Sequence, residues 1–128
     1  MYIDFEITDS ILIVKMTGEI DHHKSADIRS EIDGAYTAFS CTHLVLDFSK
    51  VSFVDSSGIG VIMGRYNKVK EKCGKLVICG CSDSMRNILF MAGIFTIVEE
   101  VSNASAAIQM IKESESDTQN AGGDESGK

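Results

Sequence analysis

Apolar positions along the chain recur with two different periods. The run Ile11-Leu12-Ile13-Val14-Lys15-Met16 reads as a β-strand, and Gly18 ends it. Phe5 and Ile7 predict a short strand before it, with a turn at Thr8-Asp9-Ser10. After Asp21 the period changes. Ile28, Ile32, Ala35 and Phe39 follow at helical spacing and predict one buried helix face, with Gly34 inside the helix. His43 to Phe48 is nearly continuous in apolar character, as a central strand buried on both faces is. Val51 to Val54 leads into Asp55-Ser56-Ser57-Gly58. Ile59, Ile62, Met63, Tyr66, Val69 and Cys73 then predict a second helix that stops at Gly74. Leu76 to Cys79 predicts a strand. Ser82 or Asp83 caps a helix carrying Met85, Ile88, Leu89 and Ala92, which ends at Gly93. Ile94 to Val98 predicts a last short strand, and a final helix from about Asn103 uses Ala107, Ile108 and Ile111. The order β-β-α-β-α-β-α-β-α predicts a mainly parallel α/β sheet, because parallel neighbours need crossovers.

Composition sets the outer limits. A chain of 128 residues, 44% hydrophobic and 24% charged, is one globular domain rather than a disordered chain. No run approaches the ~20 apolar residues of a membrane span. Met1-Tyr2-Ile3-Asp4 has no basic stretch ahead of an apolar block, so no secretory signal is expected. A cytoplasmic, reducing location is expected, and Cys41, Cys73, Cys79 and Cys81 are read as buried or incidental thiols, the lone Cys79-Gly80-Cys81 spacing being a weak signal for a metal clip. The net charge of −7 is concentrated at one end. Residues 113–128 hold five acids and one base, leaving −3 on the rest. That segment has a single apolar residue, Ala121, and reads as a disordered acidic tail behind a domain of residues 1–112. No basic excess supports nucleic-acid binding. The cluster Arg65, Lys68, Lys70, Lys72 and Lys75 reads as the solvated face of the second helix.

Functional groups in open α/β sheets gather at the carboxyl ends of strands. Two such loops stand out: Gly18-Glu19-Ile20-Asp21-His22-His23, and Asp55-Ser56-Ser57-Gly58-Ile59-Gly60. The second enters a helix, where free N–H groups and the helix dipole favour negative charge, so a phosphorylated serine there is expected to meet a ready anion site. Gly58 and Gly60 would let another backbone approach. The plainer reading is a serine N-cap with packing glycines. Neither Ser56 nor Ser57 has the glycine two residues earlier that a nucleophile elbow needs, and no P-loop lysine follows Gly60. Catalysis is not expected. Adjacent His22 and His23 do not face one metal together on a helix, and no zinc-ligand spacing accompanies them, so no metal or other cofactor is expected.

Those two loops, with Gly64-Arg65-Tyr66, Gly74-Lys75-Leu76-Val77-Ile78-Cys79 and Met91-Ala92-Gly93-Ile94-Phe95, resemble the anti-sigma factor antagonists of the STAS-domain class. The resemblance covers roughly residues 3 to 110. Asp21-His22-His23 together with Gly64-Arg65-Tyr66 is similar to the sporulation members that control sigma factor F, rather than to their general-stress relatives. The resemblance implies a STAS-type single domain, a mixed, mainly parallel sheet with helices packed largely on one side. It implies an unphosphorylated form that binds an anti-sigma factor with serine kinase activity and so frees the sigma factor. It implies phosphorylation at Ser56, reversal by a PP2C-type phosphatase, and a partner-binding surface of Asp21, His22, His23, Ser56, Ser57, Gly58, Ile59 and Gly60. Weak purine-nucleotide binding is a further implication, since some members bind such ligands. A general-stress antagonist and a nucleotide-binding module are the alternative readings.

Overall fold

A computed structural model describes the backbone of residues 2–126 and the side chains of residues 2–116. The elements are β1 (Tyr2–Thr8), β2 (Ile11–Ile20), α1 (Ser25–Ala38), β3 (His43–Val54), α2 (Ser56–Glu71), β4 (Leu76–Cys79) and α3 (Asp83–Met91). A 3-10 turn (Ile94–Thr96), β5 (Glu99–Val101) and α4 (Ala104–Ser126) complete the chain. The strands form one sheet in the order β1-β2-β3-β4-β5. β1 runs antiparallel to β2, and every later pair is parallel.

This order explains where the helices lie. Parallel crossovers are right-handed, and here each one steps in the same direction across the sheet. Successive steps of one hand and one direction put α1, α2 and α3 on the same face. Leu12, Val14, Leu44, Leu46 and Phe48 point to that face and pack with Ile28, Ile32, Ile62, Val69, Met85 and Leu89. Alternate residues along the same strands point the other way. Ile11, Ile13, Val45 and Val77 form a second, smaller core closed by Ala107 and Ile111 of α4. Since α4 follows the last strand, no crossover rule binds it to the first face. The expectation of a mixed sheet with helices largely on one side holds.

Three local expectations are corrected. Residues 94–98 are not a strand: Gly93 turns the chain in the left-handed region (φ 78°), a 3-10 turn follows, and the edge strand forms two residues later at Glu99–Val101. Phe39 is 58% exposed, because α1 ends at Ala38. Tyr36 fills the buried position instead, and its hydroxyl donates to the Thr42 carbonyl at 2.7 Å. Arg65 does not lie on a solvated face. It is 6% exposed, between α2 and α1, with Nε 2.8 Å from Asp33 Oδ1. Ser82 is the cap of α3, accepting from the Met85 N–H at 3.2 Å.

The backbone of α4 continues into the segment set apart as an acidic tail. Within that segment Glu115 lies 2.9 Å from Nε2 of the buried His43. The Lys75 N–H donates to His43 Nδ1, so Nε2 carries the proton and donates to Glu115. Side chains beyond 116 lie outside the described residues, and so does the expectation of disorder for them. We propose residue 116 rather than 112 as the point after which the tail is dispensable. A chain ending after Lys112 loses the Glu115 bond and is expected to be less stable by about 0.5–1.5 kcal/mol. One ending after Ser116 should match the full chain in thermal unfolding.

Candidate functional site: two loops clamped at one end of the sheet

β2 and β3 are parallel neighbours, and Ile20 pairs with Val54 at their carboxyl ends. The two loops singled out in the sequence therefore leave the sheet side by side. Gly18, expected to end β2, instead lies within it, and the strand runs on to Ile20; Gly18 sits at a register shift in the β2–β3 pairing, at φ 113°. That is a conformation an L side chain rarely adopts, and a bulge of this kind re-aims a strand end.

Three hydrogen bonds tie the loops together. The Asp55 N–H donates to the Ile20 carbonyl at 3.2 Å. The His22 N–H donates to Asp55 Oδ2 at 3.1 Å. The Ser25 hydroxyl, buried at the start of α1, lies 2.8 Å from Ser57 Oγ and 2.7 Å from the Asp21 carbonyl oxygen, so its one proton is shared between them. Ser25 was not a site candidate in the sequence. Nothing in its local pattern distinguishes it, since its partner is 32 residues away.

Asp55 is the N-cap of α2, in extended conformation. Its Oδ1 accepts from Ser57 N–H at 2.9 Å, Gly58 N–H at 3.2 Å and the Ser57 hydroxyl at 2.6 Å. The short bond from the Ser57 hydroxyl, with the backbone donors, holds the Asp55 carboxyl below the usual carboxylate range. The ready anion site expected at this helix start is thus already filled by the protein's own carboxylate. That is a correction, and its physical reason is the preference for Asp at an N-cap.

The two serines differ accordingly. Ser57 is half-buried, with its hydroxyl held by Asp55 and Ser25. Ser56, the first residue of α2, is exposed, and among the described residues its hydroxyl has no hydrogen-bond partner. His22 and His23 are exposed on the adjacent loop, with ring centroids 3.9 Å apart. His22 Nδ1 is 4.0 Å from Asp55 Oδ2. Asp21 is half-buried and spends Oδ1 on its own turn, accepting from His23 N–H at 3.1 Å and Lys24 N–H at 3.2 Å. Removing the Asp21 side chain would therefore remove a turn cap as well as a charge. The histidines belong to this turn, and α1 begins at Ser25.

The two glycines also separate. A Cβ on Gly58 would lie 2.8 Å from the Ile20 carbonyl oxygen and 3.0 Å from Val54 Cβ, so Gly58 lets α2 start close against the strand ends. A Cβ on Gly60 would meet nothing within 4 Å, and Gly60 is exposed. Gly58→Ala should cost about 1–3 kcal/mol through overpacking against backbone. Gly60→Ala should stabilise the isolated chain by about 0.5–1 kcal/mol through helix propensity, while a fall in partner affinity would mark Gly60 as a contact. Urea unfolding beside a binding titration checks both.

The site is an exposed surface rather than a cavity. A cleft of about 440 Å3 lies at the opposite end of the sheet and is lined by His43, Tyr66, Lys70 and Lys75 among others. No group of three or more His, Cys, Asp or Glu placed to hold a metal occurs among the described residues. No helix there is long and apolar enough to cross a membrane. Burial pushes the thiols of Cys79 and Cys81 up to about 12, away from nucleophilic chemistry.

The STAS domain family matches residues 2–115. A Paenibacillus polymyxa protein named anti-sigma F factor antagonist is 36% identical over 108 residues, covering 84% of this chain and 92% of that protein. A Listeria monocytogenes protein named anti-sigma-B factor antagonist is 30% identical, covering 72% of this chain and 79% of its own length. The solved structure of the Bacillus cell fate determinant SpoIIAA in its phosphorylated form matches with a TM-score of 0.67 at 25% identity, covering 85% of this chain and 99% of that one. The chain belongs to the STAS-domain family, in the branch whose curated members carry the name anti-sigma factor antagonist.

Proposed function

We propose that this protein is an anti-sigma factor antagonist, acting by binding rather than by catalysis in the cytoplasm. Its unphosphorylated form binds an anti-sigma factor that is also a serine kinase and thereby releases sporulation sigma factor F. Phosphorylation of Ser56 switches it off, and a PP2C-type phosphatase restores it. The observation that carries the reading is the contrast between the two serines: Ser56 is exposed with its hydroxyl unengaged, while Ser57 is held at 2.6 Å and 2.8 Å by its neighbours. A kinase needs a hydroxyl it can reach and deprotonate, and only Ser56 of the pair offers one. Asp21, His22, His23, Ser57, Gly58, Ile59 and Gly60 surround it as the contact surface. The 36% identity to a relative named for sigma F, against 30% to one named for sigma B, favours the sporulation assignment.

The test is a reconstituted complex of sigma factor F with its anti-sigma factor. Adding this chain unphosphorylated should release sigma F in proportion to the amount added. Release of a general-stress sigma factor instead would move the protein to the other branch. No release of either would refute antagonism.

A further inference from the structure

Resting on the reading that Ser56 takes the phosphate, we propose that Asp55 is the positioning residue of the switch: its carboxylate occupies the N-terminus of α2 and so keeps the phosphate outside the fold, facing the partner. A helix start offers four N–H groups with no intrahelical acceptor, here those of Asp55, Ser56, Ser57 and Gly58. Asp55 N–H is bonded to the Ile20 carbonyl, and those of Ser57 and Gly58 are bonded to Asp55 Oδ1. Only the Ser56 N–H has no partner among the described residues. A phosphate turning inward would have to displace Asp55 from two N–H groups and from the Ser57 hydroxyl. Moving that carboxylate would also release the His22 N–H from Oδ2, loosening the first loop. The displaced carboxylate would remain beside the phosphate as a like charge. Outward orientation avoids all of this. The dianion then keeps its charge on the surface that a partner must cover, with the Asp55 charge beside it.

The consequence is a sign. In the wild-type chain the phosphate finds only the Ser56 N–H open and meets the Asp55 charge, so phosphorylation should lower the unfolding temperature. In Asp55→Ala the N–H groups of Ser57 and Gly58 are freed. The phosphate can then take them as a capping anion, and phosphorylation should raise the unfolding temperature. In Asp55→Asn the cap stays and the like charge goes, so the drop should shrink toward zero without a rise.

Phosphoserine placed at position 56 during translation makes each pair of chains without a kinase. A chain that no kinase modifies at Ser56 would therefore sink the proposed function and leave this result standing. The expected shifts are about −2 to −5 °C for the wild type and an increase of similar size for Asp55→Ala. Equal shifts of one sign in the two chains, or a rise in the wild type, would overturn the proposal. Amide spectra give a second reading that does not depend on Asp55→Ala folding well. In the phosphorylated wild type the Ser57 and Gly58 amides should stay near their unphosphorylated positions. Large downfield shifts of both would show the phosphate bonded there and contradict the role given to Asp55.

Discussion

Phosphate on Ser56 is expected to weaken binding to the anti-sigma factor at least a hundredfold, equivalent to about 2.7 kcal/mol. The phosphate adds a charge of about −1.5 to −2 at neutral pH. It sits on the exposed first residue of α2, next to an Asp55 carboxylate engaged in four hydrogen bonds. In a kinase that has ATP or ADP bound, the same surface must approach nucleotide phosphates. Like charges brought together in a closely packed contact repel, and stripping water from a dianion adds to the cost. The fold itself has little reason to change, because Ser56 bonds to nothing that must move. Ser56→Asp should reproduce only part of the loss, having less charge and fewer acceptor oxygens. Calorimetric titration of both forms against the anti-sigma factor checks this, and equal affinities would refute it.

The largest expected effect on stability lies one helix turn or more below that surface. Arg65 is almost fully buried, and burial lowers the affinity of its guanidinium for its proton while Asp33 raises it. The 2.8 Å approach of Nε to Asp33 Oδ1 is that of an ion pair, but its angles are not those of a hydrogen bond, and Nη1 has no hydrogen-bond partner. Asp33→Ala would leave a buried cation with no counter-charge and should destabilise the chain by about 3 kcal/mol. Arg65→Met removes the charge with its partner half-exposed and should cost much less. The pair joins α1 to α2, the two helices whose N-termini carry the loops. If the Asp33→Ala loss proves no larger than that of Arg65→Met, the pair is not a buried charge problem and the assignment fails. Urea unfolding of the two variants gives the comparison.

The periodicity of apolar residues was enough to place every helix and four of the five strands, because Leu12, Leu44 and Leu46 face a core that α1, α2 and α3 must cover. It failed where a short element carries little apolar signal. Glu99–Val101 is a three-residue edge strand with two glutamates, whereas the adjacent Ile94–Val98 looks more strand-like and is held in a turn by Gly93. Arg65 was misplaced for a related reason. A charge within a basic cluster reads as solvated, and its acid partner is 32 residues away on another helix. At the site, the position of both loops at strand ends was legible from the order of the elements. The clamp was not. Ser25 meets Ser57 only through the parallel pairing of β2 and β3. Asp55 was legible in principle: an Asp before Ser-Ser-Gly at a helix start is a cap, and a cap already made leaves no anion site to fill.

Ser56 alone is expected to receive the regulatory phosphate. Incubating the protein with the anti-sigma factor and ATP, then mapping phosphate by peptide mass spectrometry, shows which serine carries it. A single modified residue at Ser56, with incorporation lost in Ser56→Ala and retained in Ser57→Ala, is the predicted result. Phosphate on Ser57, or undiminished incorporation in Ser56→Ala, would contradict it.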